Sequence, residues 1–278
     1  MPDYPLSIAA APQTTNCSHN DLATSDMTPA LILPLTAIGL LVGILIGCIG
    51  IGGVLLVPSL TYIGQIDIHI AIASCMLSYL FSGLIGAIMY ANRGSIRWSM
   101  TGWLCAGAMP GAYVGAASVH LVPGKALELI IAVLIVAAGA NALREQTESA
   151  PRDSLAAKKL AAIGAVTGFG SAMTGTGGPL ILVPVLVWLK VPVLTAVGLS
   201  QIIQLPVATL ATIGNFIHGR LDVILGIAIA AVLMVGVALG ARLAHAVSSR
   251  SLKRVVAAVM ITIGVMIATR IVYAYVSR

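Results

Sequence analysis

An all-α, polytopic membrane protein made of two related repeats of about 125 residues is predicted by three features of this sequence. First, 59% of its 278 residues are hydrophobic and 9% are charged, with a mean hydropathy of +1.03. A soluble domain carries about 25% charged residues, so this chain cannot cover itself with a solvated surface. Second, stretches free of Asp, Glu, Lys and Arg run through 27–66, 98–124, 160–189 and 191–219. Each reaches the length of a span, about 20 residues. Third, glycines recur in register. Gly39, Gly43, Gly50, Gly52 and Gly53 return as Gly164, Gly168, Gly175, Gly177 and Gly178. Gly94, Gly111, Gly115 and Gly139 return as Gly219, Gly236, Gly240 and Gly264 at the same offset. Composition alone does not produce so many coincidences at one shift, and duplication does.

The elements follow in order. Residues 1–30 form a polar tail without Lys or Arg and without an apolar run of signal-peptide length. The first repeat occupies 31–143, a charged linker with Pro151 occupies 144–159, and the second repeat occupies 160–278. Each repeat is read as four apolar elements, and lipid requires them to be helices because each must satisfy its own backbone. A long element interrupted by glycines covers 31–63 and 157–189. It is followed by spans at 67–91 and 193–217, at 99–120 and 222–245, and at 125–143 and 252–275.

The long element sets the topology. Unbroken, it would measure about 50 Å against a hydrocarbon core of about 30 Å. It therefore tilts, breaks or folds back as a re-entrant hairpin. Four crossings per repeat keep the two repeats parallel, whereas three crossings and a hairpin invert them. In the hairpin arrangement Arg93, Arg97, Arg144, Arg152, Lys158, Lys159, Lys190, Arg242, Arg250, Lys253 and Arg254 share one face. The positive-inside rule favours this sharper asymmetry, with the charged face cytoplasmic and the tail outside. The same placement of Lys and Arg in short connectors explains the net charge of +6 without nucleic acid.

The breaks carry the chemistry. Glycine costs about 1 kcal/mol relative to alanine inside a helix, so Gly47 to Gly53 and Gly168 to Gly178 favour unwinding. Pro179 suits the first turn of a new helix, where its missing N–H is not needed. A helix N-terminus offers unpaired N–H groups and a positive dipole end, which bind anions. Paired broken helices recur as transporter sites. The candidate site is therefore Gly50, Gly52 and Gly53 with Ser171, Thr174, Gly175, Thr176, Gly177 and Gly178. Tight helix packing is the competing reading, and it is assigned to Gly111, Gly115, Gly236 and Gly240. There is no P-loop ending and no GxGxxG pattern.

The second span of the later repeat adds Ser200, Gln201, Gln204 and Asn215. A glutamine amide inside a span needs a partner, either a neighbouring helix or a substrate. No carboxylate sits mid-span, no catalytic constellation is visible, and the cysteines (Cys17, Cys48, Cys75, Cys105) show no metal-ligand spacing. No enzyme activity, metal or cofactor is expected.

The runs Gly43-Ile-Leu-Ile-Gly-Cys-Ile-Gly-Ile-Gly-Gly-Val-Leu-Leu-Val-Pro58 and Gly168-Phe-Gly-Ser-Ala-Met-Thr-Gly-Thr-Gly-Gly-Pro-Leu-Ile-Leu-Val-Pro184 resemble the duplicated signature of the sulfite exporter TauE/SafE family. The resemblance extends over about 33–275, including Ala196 to Ser200 and Asn215 to Gly219. One departure is Val54 after Gly52-Gly53, where a third glycine is common. The resemblance implies a permease for sulfite or an organosulfonate in a bacterial-type plasma membrane. Its partners are then a small anion, the bilayer and, as a further option, a second copy of the chain. A passive anion channel and a non-transporting membrane subunit are the alternatives.

Overall fold

The computed structural model describes residues 29–50, 52–131, 133, 155–217 and 221–244. The described residues are helical and form no strand. Helix α1 (Pro29–Ile49) ends at a glycine break; a 3-10 turn at Gly53–Leu55 leads into the short α2 (Leu56–Tyr62). Helices α3 (Ile68–Ala91) and α4 (Trp98–Val119) follow, and then α5, described over 124–131. Helices α6 (Ala157–Thr174), α7 (Pro179–Trp188), α8 (Val193–Ile217) and α9 (Val223–Ala244) complete the described chain. Of the spans expected at 125–143 and 252–275, only 125–131 and 133 lie within the described residues.

Three of these helices, α3, α8 and α9, are long and apolar enough to cross a membrane. Side chains set the starts of α3 and α9. Asp67 precedes α3 and its carboxylate accepts from His69 N at 2.9 Å. Asp222 does the same for α9, accepting from Leu225 N at 3.0 Å. Such caps satisfy donors that the first turn leaves free.

Helices α3 and α8 are the inner pair and run antiparallel. The side chain of Gln204 lies over Gly83, that of Gln201 over Gly86, and Gly198 faces Tyr90. Two outer pairs flank them, α1 on α9 and α4 on α6. Both run parallel: Gly43 meets Gly236 and Gly240 meets Ile44, while Gly107, Gly111 and Gly115 meet Ala161, Ala165 and Phe169. These glycines let backbone touch backbone. A methyl group on Gly43 would lie 2.9 Å from Gly236 Cα and 2.9 Å from Leu233 O. Gly111, Gly115, Gly236 and Gly240 thus serve close packing. Cys48 adds to the first pair, its thiol donating to Gly240 O at 3.0 Å.

At both breaks the chain turns back on itself. A methyl on Gly52 would lie 2.6 Å from Val42 O and 2.9 Å from Ile46 N, well back along α1. Likewise a methyl on Gly170 would meet Ile181 Cδ1 at 2.6 Å. The arms α2 and α7 then lean on α3 and α8.

The breaks are shorter than the glycine clusters that mark them. Gly47 belongs to α1 and Gly168 to α6, each held in the helix by a close neighbour: Gly47 by Val237 O and Gly168 by Ala108 O. Among the described residues of the two long elements, the non-helical positions at the breaks are Gly50 and Gly52 in the first and Gly175–Gly178 in the second.

Candidate functional site

The second break is built by three left-handed glycines. Gly175 ends α6 at φ +69°, its N–H and that of Thr176 both donating to Ser171 O at 2.9 and 3.2 Å. Gly177 and Gly178 follow at φ +76° and +114°, conformations that side chains with a Cβ rarely adopt. Pro179 then opens α7, as its fixed φ and missing donor favour. Among the described residues the N–H groups of Gly177, Gly178, Leu180 and Ile181 donate to no protein acceptor. Gly50, at φ +76°, plays the part of Gly175 in the first break.

The two breaks touch. A methyl on Gly53 would lie 2.9 Å from Thr176 O, and one on Gly50 would lie 3.3 Å from Pro179 Cβ and 3.0 Å from Ser200 Oγ. Gly178 faces Ile203 and Ser171. Gly52, Gly53, Gly175 and Gly177 are packed against Leu45, Tyr79, Val57 and again Tyr79. All of the candidate residues are buried, so the centre is closed to solvent in this conformation. Among the described residues no charged side chain is buried, and no group of metal-ligating residues occurs.

The hydroxyls differ in what they have left to offer. Thr174 Oγ1 donates to Gly170 O at 2.7 Å, so in its 3.1 Å contact with Thr176 Oγ1 the proton belongs to Thr176. Thr176 thus turns no donor toward the centre. Ser200 spends its proton on Val197 O at 2.7 Å. Ser171 Oγ, on a residue 0% exposed, has no partner among the described residues.

The glutamines tie helices together. Gln201 Nε2 donates to Ile46 O at 3.1 Å, and Gln204 Nε2 to Tyr79 O at 3.0 Å and Ser82 Oγ at 3.3 Å. Among the described residues each keeps an unpaired Oε1, and Asn215 leaves both amide atoms unpaired. Asn215 is not among the residues that touch the breaks in the contacts described above.

Tyr79 is the residue that sequence reasoning missed. Its hydroxyl donates to Gly53 O at 2.7 Å and its ring lies against Gly177, so it bridges both breaks. The available signal was its match to Gln204 under the repeat offset. Tyr90 similarly donates to Gly47 O at 2.9 Å.

Irregular backbone inside an apolar helical bundle is tolerated where it is buried in protein or lines a cavity, and paired broken helices recur in membrane transporters. The chain belongs to the sulfite exporter TauE/SafE family, whose sequence model matches residues 35–267. It is 28% identical over 197 residues to a probable membrane transporter protein of Xylella fastidiosa (strain 9a5c), covering 67% of this chain and 73% of that one. A probable membrane transporter protein of Bacillus subtilis (strain 168) is 25% identical over 211 residues, covering 73% and 86%. One from Methanocaldococcus jannaschii is 28% identical over 200 residues, covering 67% and 72%. No solved structure matches the chain.

Proposed function

We propose that the protein is a secondary transporter that moves a small anion, sulfite or an organosulfonate, by alternating access between two inverted repeats. One observation carries the anion reading: the N-terminus of α7 presents unspent N–H groups beside the unpaired, buried hydroxyl of Ser171. Those groups donate, as an oxyanion requires, and the dipole of α7 adds a positive end. The closed centre favours alternating access over an open channel.

Inversion draws support from helix directions. The offset that pairs the glycines also pairs α1 with α6, α3 with α8 and α4 with α9. Ile49 and Thr174, the last residues of α1 and α6, match under it, as do Val119 and Ala244. The matched helices α3 and α8 run antiparallel and side by side, with Tyr79 bonded to its own counterpart Gln204. A two-fold axis passing between them lies in the membrane plane. The fold-back at each break supplies the hairpin that inversion needs. With Lys158, Lys159 and Lys190 cytoplasmic, the tail is extracytoplasmic; the plasma membrane is what the family resemblance implies.

The test is thermal unfolding of purified protein with sulfite, sulfate, thiosulfate, methanesulfonate and acetate. A ligand at 100 times its Kd stabilises by about 2.7 kcal/mol. Stabilisation by sulfur oxyanions or sulfonates, and not by acetate, is expected. Absence of any responder removes the anion site, and a response to acetate alone removes the substrate class. Saturable counterflow in liposomes then separates a transporter from a channel, whose flux is linear.

A further inference from the structure

Buried polar side chains are divided unevenly between the two halves. On α6, Thr167 and Ser171 stand four residues apart and share one face. They are 1% and 0% exposed, and neither hydroxyl has a partner among the described residues. On α8, Asn215 is 1% exposed with both amide atoms unpaired. It stands level with the end of α6. A methyl on the adjacent Gly214 would lie 2.9 Å from Ala116 Cβ, and one on Gly115 would lie 3.0 Å from Ala172 Cβ. Thr61 and Thr212 also carry unpaired hydroxyls, but those side chains are partly exposed.

The first half fills the matching places with other chemistry. Under the repeat offset the counterparts of Thr167, Ser171 and Asn215 are Val42, Ile46 and Tyr90. Val42 and Ile46 are apolar and fully buried, and Tyr90 gives its hydroxyl to Gly47 O at 2.9 Å. These three places leave no unpaired polar side-chain atom among the described residues. An unpaired buried polar group costs about 1–3 kcal/mol, and α6 and α8 carry three such residues. Polar atoms of this kind have their partners in water or ligand in another conformation.

We propose that the substrate reaches the N-terminus of α7 through the second half, along a seam between α6 and α8 lined by Thr167, Ser171 and Asn215. The first half is its sealed counterpart. Hydroxyls and an amide N–H along the seam replace, one after another, the water that an oxyanion sheds. The assignment builds on the anion site proposed above and adds which half opens.

Cysteine accessibility tests it without any ligand. Thr167→Cys, Asn215→Cys, Val42→Cys and Ile46→Cys are each placed in the full chain in liposomes and treated with an anionic thiosulfonate reagent. Peptide mass reads each site, and the native Cys48, Cys75 and Cys105 give an internal baseline. Thr167→Cys and Asn215→Cys are expected to react faster than the two first-half variants by about tenfold or more. Equal rates, or faster reaction in the first half, overturn the seam. As a second measurement, Thr167→Val should raise the unfolding temperature and slow uptake; a lowered unfolding temperature speaks against it. Asymmetric labelling with no anion-induced stabilisation keeps the seam and removes the anion reading. Anion binding with symmetric labelling removes the seam alone.

Discussion

Replacing Ser171 by alanine separates a structural hydroxyl from a substrate-binding one, because the two roles give opposite signs. Ser171 is fully buried and its Oγ has no partner among the described residues. A buried hydroxyl in that state costs about 1–3 kcal/mol, and alanine is the better helix former by roughly 0.5 kcal/mol. Deleting the oxygen leaves almost no cavity. The ligand-free Ser171→Ala protein is therefore expected to gain about 1 kcal/mol or more, about 2–4 °C in unfolding temperature per kcal/mol for a chain of this size class. A hydrogen bond to a charged ligand contributes about 1.5–3 kcal/mol, so the same change should weaken anion affinity by about tenfold to a hundredfold. The assay is thermal unfolding in detergent, first without anion and then titrated with sulfite or methanesulfonate. A lower ligand-free unfolding temperature with unchanged affinity would refute the reasoning. It would mean that Ser171 has a protein partner and no ligand.

Three further outcomes are expected from the packing around the breaks. Gly177→Ala combines a left-handed φ of +76° with a Cβ 2.8 Å from Tyr79 Cδ2, whereas Gly94→Ala has φ +66° and nothing within 4 Å. Both carry a strain of about 1–2 kcal/mol, and only Gly177→Ala should lose more than that in denaturation and abolish uptake; equal losses would mean the centre is loose. Gly111→Ala drives a methyl into Ala165 O while Gly102→Ala meets nothing within 4 Å. The first should prevent accumulation of folded protein, and the second should be neutral or stabilise by up to about 1 kcal/mol in thermal unfolding. Tyr79→Phe removes the donor to Gly53 O, which keeps the N–H of Leu56 as a second partner. A loss of about 0.6–1.5 kcal/mol follows, and a far larger loss in the same assay would show that the hydroxyl does more than tether the break.

The helix pattern was legible because hydropathy and the repeat of glycines act on whole segments. The location of both breaks and the fresh start at Pro179 could be read from local chemistry, since glycine permits φ above zero and proline suits a first turn. Their length could not. Gly47 and Gly168 look like the glycines of a loop, yet each is occupied by a neighbouring backbone, and only tertiary contact tells close approach from unwinding. The same limit applies to Gln201 and Gln204. Sequence requires that their amides find partners but does not say which, and the structure gives their N–H groups to α1 and α3. Tyr79 escaped notice for a third reason: an aromatic on an apolar helix reads as core unless the chain is aligned with itself. Thr176 shows what sequence does not weigh: a hydroxyl beside three glycines reads as a ligand group, and in this conformation it lies 3.1 Å from Thr174 Oγ1.

An anion site without a buried lysine or arginine has a physical rationale in transport. The N-terminus of a helix carries about half an elementary charge, and the free N–H groups of α7 are fixed donors. In the proposed site they would replace the hydration shell of a monoanion without the full Coulomb attraction of an ion pair, which grows steeply as the dielectric falls. A buried cation would also impose its own desolvation cost whenever the site is empty, a cost of several kcal/mol. Backbone dipoles impose much less, because α7 must end somewhere whether or not a ligand is present. Under the proposed function, such a centre would hold an anion loosely enough to release it on the far side and return empty at little cost. Selectivity must then come from shape and from hydroxyls placed at the helix end, which is where Ser171 stands.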